Sequence, residues 1–446
     1  MMGARRGLFG GIVSALVSTG VAAQQKPAPA QPASLQVSLA EAVRRALDVQ
    51  PDIVRARRDV RTAGAGQRSA VGAFLPTITA SGSSNQASAS RYNSATGQIV
   101  AGSNTSYSGQ VGLNLDLFDG FRRLANKRAA AATEDAADAG LVNQRYQVTA
   151  TTADRFYTAL ADEELVRVAQ AQVERAKEEL QIAVNKFQAG AATRSDTLTA
   201  TVDLGNAQLA LLEAQANLAT SQANLGRQVG VDQPVRAVPD TAFPSVPDTT
   251  ALRAEALDSS PQVRQAEAQV RAAGAMVGVA RSQYWPTFSA SYGNGYTGLD
   301  SLGRLALTPW ATTRGYTNTW SLRFSLNWTM FNGFTREADQ VTASVGRDVA
   351  RAQAADTRRQ VGAQLTEQLA AMLTAYARIG ITGANVVAAT EARRVQQERY
   401  RLGAGTLLDL LTAEANLTQA EVNQVQARYD YLIARAQVEA LAGHAL

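Results

Sequence analysis

From Trp320 to Met330 the chain alternates without a break. Trp320, Leu322, Phe324, Leu326, Trp328 and Met330 are apolar, and Ser321, Arg323, Ser325, Asn327 and Thr329 between them are polar. A period of two sends one set to each face of a β-strand. A run of this length suits a tilted strand with lipid on one side and water on the other. Val111, Leu113, Leu115 and Leu117 alternate in the same way with Gly112, Asn114 and Asp116, as do Phe288, Ala290 and Tyr292 with Ser289, Ser291 and Gly293. Thr77–Gln86 is the weakest segment, with little beyond Ile78 and Ala80. The pattern predicts strands at 77–90, 107–118, 287–298 and 319–331, with outer loops at about 91–106 and 297–319. A soluble half-buried sheet packed on helices gives the same alternation. The surplus of Trp285, Trp310, Tyr316, Trp320 and Trp328 around these strands favours lipid, because a membrane-interface girdle sits there.

Between the strands the period changes. No proline falls between Thr77 and Gln233 or between Ala311 and Leu446, so uninterrupted helix is permitted. Gly120–Gln188 and Phe334–Leu402 are rich in Ala, Gln, Arg and Glu and predict helices over 120–188 and 334–402. At 1.5 Å per residue each is about 100 Å long, too long for the core of a compact enzyme. Gly190-Ala191-Ala192 and Gly403-Ala404-Gly405 end them, and Thr193 and Thr406 can cap returning helices over 193–229 and 406–441. Leu198, Val202, Leu209 and Leu212 form a stripe on the first; Leu407, Leu411, Leu417 and Val425 form a looser one on the second. Shorter helices open at Pro51 and Pro261, where proline is tolerated in a first turn.

These elements occur twice. Ala46-Leu47-Asp48 with Pro51 recurs as Ala256-Leu257-Asp258 with Pro261, and Phe74-Leu75-Pro76-Thr77 recurs as Tyr284-Trp285-Pro286-Thr287. Phe118-Asp119-Gly120-Phe121 recurs as Phe331-Asn332-Gly333-Phe334, and Gly190 with Asp196 recurs as Gly403 with Asp409. The order predicts an internal duplication, 35–230 and 251–446, joined by a Pro-rich linker at 231–250. Residues 1–23 read as a secretory signal, with Arg5 and Arg6, an apolar run and Val21-Ala22-Ala23; 24–34 read as an extended leader.

Chemistry adds little. No cysteine is present, and the only histidine, His444, lies in the tail. No nucleophile or metal motif sits on a suitable element, so neither an enzyme nor a cofactor is expected. Glu163-Glu164 and Glu178-Glu179 read as solvated helix faces. Without Arg5 and Arg6, 41 basic residues face 38 acidic ones, too small an excess for nucleic-acid binding. A soluble periplasmic coiled-coil scaffold or adaptor also explains the helices, but not the four amphipathic strands. Four strands cannot close a barrel, and an open edge in lipid is forbidden, so copies must share one; three copies supply twelve strands.

Tyr400-Arg401-Leu402-Gly403, Leu408-Asp409-Leu410-Leu411 and Ala427-Arg428-Tyr429-Asp430-Tyr431-Leu432, in this order and with this repeat, resemble the TolC family of outer-membrane efflux proteins. The resemblance spans essentially the whole chain after residue 23. It implies an α+β membrane protein: an outer-membrane β-barrel continued by a long α-helical barrel in the periplasm, internally duplicated and built as a homotrimer in outer-membrane lipid. It implies a passive exit duct for efflux or type I secretion, recruited by an inner-membrane transporter through a periplasmic adaptor (membrane fusion protein). The adaptor is expected at the tips, at Gly190, Ala191, Thr193, Leu402, Gly403, Gly405 and Thr406. A periplasmic gate is expected from Asp409, Tyr400, Asp196 and Ser195; Thr412 stands where the family has a second ring aspartate, and Gly405 where its best-known member has an arginine. Three copies of one carboxylate around an axis bind cations and select among solutes. The residues equally permit Asp196 and Asp409 to be first-turn acids of their helices.

Overall fold

The computed structural model describes residues 35–239, 249–300 and 316–446. The signal and leader, Trp310 and part of the Pro-rich linker lie outside the described residues. The chain opens with a short strand, β1 (Leu35–Val37), then α1 (Leu39–Val49) and α2 (Pro51–Gly72). A hairpin of β2 (Thr77–Asn93) and β3 (Gln98–Phe118) leads into α3 (Arg122–Gln188) and its return, α4 (Arg194–Val229). After the short β4 (Val235–Ala237) the order repeats: α5 (Thr249–Ser259), α6 (Pro261–Arg281), β5 (Thr287–Asp300), β6 (Tyr316–Asn327), α7 (Thr335–Arg401) and α8 (Leu407–Ala442).

The long strands form one antiparallel sheet in the order β2-β3-β5-β6. Its register aligns Ile78 with Leu113, Leu113 with Tyr292, and Tyr292 with Leu322, so these four share one face. Thr77, Asn114, Ser291 and Arg323 are aligned on the other. The period-two pattern therefore adds up across four strands into one apolar and one polar surface. Trp320, Leu322, Phe324 and Leu326 stand 55–71% exposed on the apolar side. Among the described residues β2 and β6 are left as open edges.

Strand ends differ from expectation. The segment 98–106, expected as loop, is paired strand, and the turn is confined to 94–97, where Gly97 takes φ +68° and the Ala95 amide donates to Asn93 Oδ1 at 3.0 Å. Ser, Thr and Asn there satisfy a ladder as well as apolar residues do, but leave no periodic signature. β6 stops at Asn327, short of 331, because Arg336 donates to the Thr329 and Met330 carbonyls, both at 2.9 Å. α3 and α7 begin two residues and one residue late. Gly120 and Phe121, like Gly333 and Phe334, are left-handed with φ between 65° and 67°, which swings the chain out of the sheet. Gly120 is required: a Cβ there would lie 2.7 Å from Trp285 Cβ. The α1, α5, β1 and β4 elements were not expected; β1 pairs parallel with β4, Leu35 opposite Val235.

The core is distributed along the helices. Near mid-length, Val37, Phe156, Leu160, Leu225 and Val235 form one cluster, and Leu365, Leu369, Met372, Tyr431 and Val438 another. A third, with Ala183, Ala200, Tyr400, Leu407 and Leu410, lies at the end remote from the sheet. There α3 packs on both α4 and α8, so the α3–α4 hairpin and the α7–α8 hairpin stand side by side.

Candidate functional site at the helix tips

Both hairpins turn by the same device. After α3, Gly190 takes φ +72°, its amide donates to the Phe187 carbonyl at 3.0 Å, and that of Ala191 to Lys186 at 2.8 Å. After α7, Gly403 takes φ +78°, its amide donates to Tyr400 at 3.1 Å, and that of Ala404 to Arg399 at 2.8 Å. These bonds satisfy the last carbonyls of helices that end in a left-handed residue. Each return helix then starts with a reciprocal cap. The Asp196 amide donates to Thr193 Oγ1 at 3.2 Å and the Thr193 amide to Asp196 Oδ2 at 3.1 Å. Asp409 and Thr406 repeat the pair at 3.2 and 3.1 Å, with the Thr406 hydroxyl adding a 2.8 Å bond to Asp409 Oδ2. That hydroxyl, followed by the Thr406 amide, holds the Asp409 carboxyl below its ordinary value, so the carboxylate is ionised. Within one chain, Asp196 and Asp409 are thus committed to the helix starts.

Tyr400 is placed differently. It is buried among Ala183, Ala200, Leu407 and Leu410, and its hydroxyl has no hydrogen-bond partner among the described residues. Burial, then the charge of Asp196, pushes the phenol up. Its partner is Lys186, whose Nζ lies 4.2 Å from the ring centroid and also donates to the Tyr400 carbonyl. Sequence reasoning missed Lys186, which lies 214 positions away. Ser195 is exposed, and Thr412 donates to its own helix at Leu408, 2.8 Å away. Gly405 packs closely on Arg399, 3.2 Å from where a Cβ would stand. Leu402 and Leu408 project into solvent at 77% and 73% exposure.

Above the tips lies a charged cluster that the sequence reading took for a solvated face. Glu178 is exposed, but Glu179 is 1% exposed, continuing the buried stripe of Val166, Ala169, Val173 and Ala176. That three–four spacing was the available signal. Arg175 bonds Glu414 on α8 and reaches Glu421 Oε2 at 3.0 Å. Arg393 on α7 donates through Nε to Glu414 Oε2 at 2.7 Å, and its Nη2 lies 3.9 Å from Glu179 Oε1. Neither Glu179 oxygen is hydrogen-bonded. Burial first, and the charge of Glu414 second, pushes its carboxyl up to about 8. Asp203 on α4 is pushed up by the same two causes in the same order. Glu163 is not free either: Arg236 and Arg167 pair with it and hold its carboxyl down.

Among the described residues the aromatic side chains around the sheet lie at two levels. Trp285, edge-on to Phe121 at 6.0 Å, and Trp328, donating from Nε1 to the Tyr284 carbonyl at 3.3 Å, sit at the base of the sheet. Trp320 is further up β6, opposite Asn294, and Tyr316 opens that strand. Among the described residues no helix is long and apolar enough to cross a membrane.

The profile of the outer membrane efflux protein family matches residues 42–231 and 252–444. The outer membrane efflux protein BepC of Brucella suis is 26% identical over 415 residues, covering 90% of this chain and 84% of that protein. The toluene efflux pump outer membrane protein TtgC of Pseudomonas putida is 24% identical, covering 78% and 71%. The cobalt-zinc-cadmium resistance protein CzcC of Cupriavidus metallidurans is 31% identical over a shorter stretch, 41% of this chain and 44% of that one. Among solved structures, the CmeC outer membrane channel of Campylobacter jejuni superposes with a TM-score of 0.74 at 19% identity, covering 91% and 85%. VceC of Vibrio cholerae gives 0.76 at 19%, covering 91% and 96%.

Proposed function

Since this chain belongs to the outer membrane efflux protein family, we propose that three copies close one twelve-stranded barrel in the outer membrane and continue it as a helical tunnel through the periplasm. The carrying observation is the four-stranded sheet with a lipid-type face and two open edges. Open edges in hydrocarbon cost several kcal/mol per unpaired group, so β2 of one copy pairs with β6 of the next. The helices support the same assembly. On α4, Leu198, Val202, Leu209 and Leu212 stay exposed in the single chain, an apolar edge for a neighbouring copy to cover.

The duct is passive: it transports and does not catalyse. A periplasmic adaptor docks on the tips, over Gly190, Ala191 and Thr193 and over Leu402, Gly403, Gly405 and Thr406, with Leu402 and Leu408 as its apolar anchors. Asp196, Asp409, Tyr400, Ser195 and Thr412 surround the narrow periplasmic end, and an inner-membrane transporter supplies the energy. Trp285 and Trp328 mark the periplasmic membrane boundary. Relatives named for toluene and for cobalt, zinc and cadmium fit a conduit that makes few contacts with its cargo.

Detergent extraction, mass determination of the particle and planar-bilayer conductance test this together. The expected result is a membrane-borne trimer with small, cation-biased conductance that rises in Asp409→Ala and Tyr400→Ala. A particle that washes off without detergent, or a monomer without conductance, refutes it.

A further inference from the structure

The α3–α4 and α7–α8 hairpins meet on buried charge about 14 Å above the end of α3. Glu179 is faced from its own helix by Arg175 and the exposed Glu178, from α4 by Asp203, from α7 by Arg393, and from α8 by Glu414 and, beyond it, Glu421. Arg175 is already bonded to Glu414 and Glu421, and Arg393 to Glu414. Two guanidinium groups therefore stand among five carboxyls, and Glu179 is the buried one left with no hydrogen bond on either oxygen. A buried charge in that position is costly, whereas a neutral carboxyl is tolerated.

We propose that Glu179 is a positioning residue of the periplasmic gate: protonated, it keeps the two hairpins of a protomer locked side by side, and ionised, it drives the seam apart. The inference rests on the gated-duct reading above and names the group that regulates it. Geometry is its basis: one completely buried carboxyl at the seam two rigid hairpins must open to widen the tunnel. The raised carboxyl value, about 8 against an ordinary 4.5, agrees in direction. The closed seam holds a proton that an opened, hydrated seam releases between those two values. Closure is thus fully favoured below the ordinary value and lost as pH rises through that window, by up to about tenfold per pH unit per protomer. Asp203, also raised by burial, acts in the same sense. Asp409 is held below its ordinary 3.8 and Tyr400 raised above its ordinary 10.0, so neither changes charge inside the window.

The test is single-channel recording of the intact trimer in planar bilayers from about pH 5 to about pH 9, on wild type and Glu179→Gln. Wild type is expected to stay mostly closed at the acid end and to open progressively toward the alkaline end. Glu179→Gln, permanently neutral at that position, is expected to stay mostly closed, with only the shallow pH response that Asp203 leaves. A variant that keeps the wild-type slope, or a wild type flat across the range, overturns the proposal. Should the variant not assemble, amide exchange of the wild-type trimer at 180–188 and 394–401, corrected for intrinsic pH dependence, must rise with pH; a flat profile overturns it. Absence of any wild-type current at any pH would instead refute the duct, while amide exchange would still read the seam.

Discussion

Replacing Arg393 with Met tests the seam without touching Glu179. The Arg393 side chain is 15% exposed and Glu414 5%, so solvent screens their 2.7 Å bond little. Removing the guanidinium leaves Glu414 with Arg175 alone and takes from Glu179 its nearest cation, at 3.9 Å. Breaking one partner out of a buried pair costs about 3–5 kcal/mol. Because Arg175 still neutralises one Glu414 oxygen, the lower end, about 3 kcal/mol per protomer, is expected. Arg393 also pulls the Glu179 carboxyl down, so its loss moves the alkaline opening to higher pH. The assay is denaturant unfolding of the trimer at fixed protomer concentration, since assembly and stability are linked. Glu414→Leu and the double variant complete a cycle. Methionine and leucine together remove both charges, so the double variant should cost less than the sum, by about 1–3 kcal/mol. A cost for Arg393→Met below about 1 kcal/mol, with no coupling, would mean that the cluster is hydrated and that the account of Glu179 is wrong.

Three further outcomes are expected. Leu322→Arg, on the apolar face of β6, should destabilise the barrel by about 2–4 kcal/mol, whereas Ser321→Arg on the opposite face should be tolerated; equal tolerance in trimer-stability assays would assign the faces wrongly. Thr406→Ala, which deletes the cap on the Asp409 amide, should cost about 1 kcal/mol and raise amide exchange at 407–410 without changing it in α4. Lys186→Met removes the cation from the Tyr400 ring and the bond to its carbonyl; it should loosen the tips by about 1 kcal/mol, read as faster exchange at 398–402.

Features written within a few residues were legible in the chain. The alternation in 320–326 told strand from helix, and the two proline-free stretches flagged the long helices. Thr193 with Asp196 and Thr406 with Asp409 disclosed the caps from their three-residue spacing. The polar upper half of the first hairpin was not legible, because Ser88 pairs with Ser103 through backbone groups that any side chain permits. Nor were contacts between distant segments. Arg175 and Glu414 are 239 positions apart and Lys186 and Tyr400 are 214 apart, so no periodicity within one helix connects them.

The duplication sharpens this last point. At an offset of 213 residues the caps and turns of the two hairpins coincide, Gly190 with Gly403 and Asp196 with Asp409, so the tips are made alike. The seam residues do not coincide. The position matching Glu179 is Ala392, those matching Arg175 and Asp203 are Ala388 and Asn416, and that matching Glu414 is Thr201. A trimer of duplicated chains has six junctions between neighbouring hairpins, and equal halves would make all six the same. The junction within a chain carries the buried charges, whereas Leu198, Val202, Leu209 and Leu212 on α4 stay exposed, the apolar edge that the proposed trimer would cover between copies. Apolar packing between copies is insensitive to pH, whereas a seam holding a buried carboxyl with no hydrogen bond is not. On the proposed trimer, opening is therefore expected to begin inside each protomer, at the charged seam of α3 with α7 and α8, while the apolar contacts between copies hold. Faster amide exchange at the α4 edge than at the seam on raising pH would refute this order.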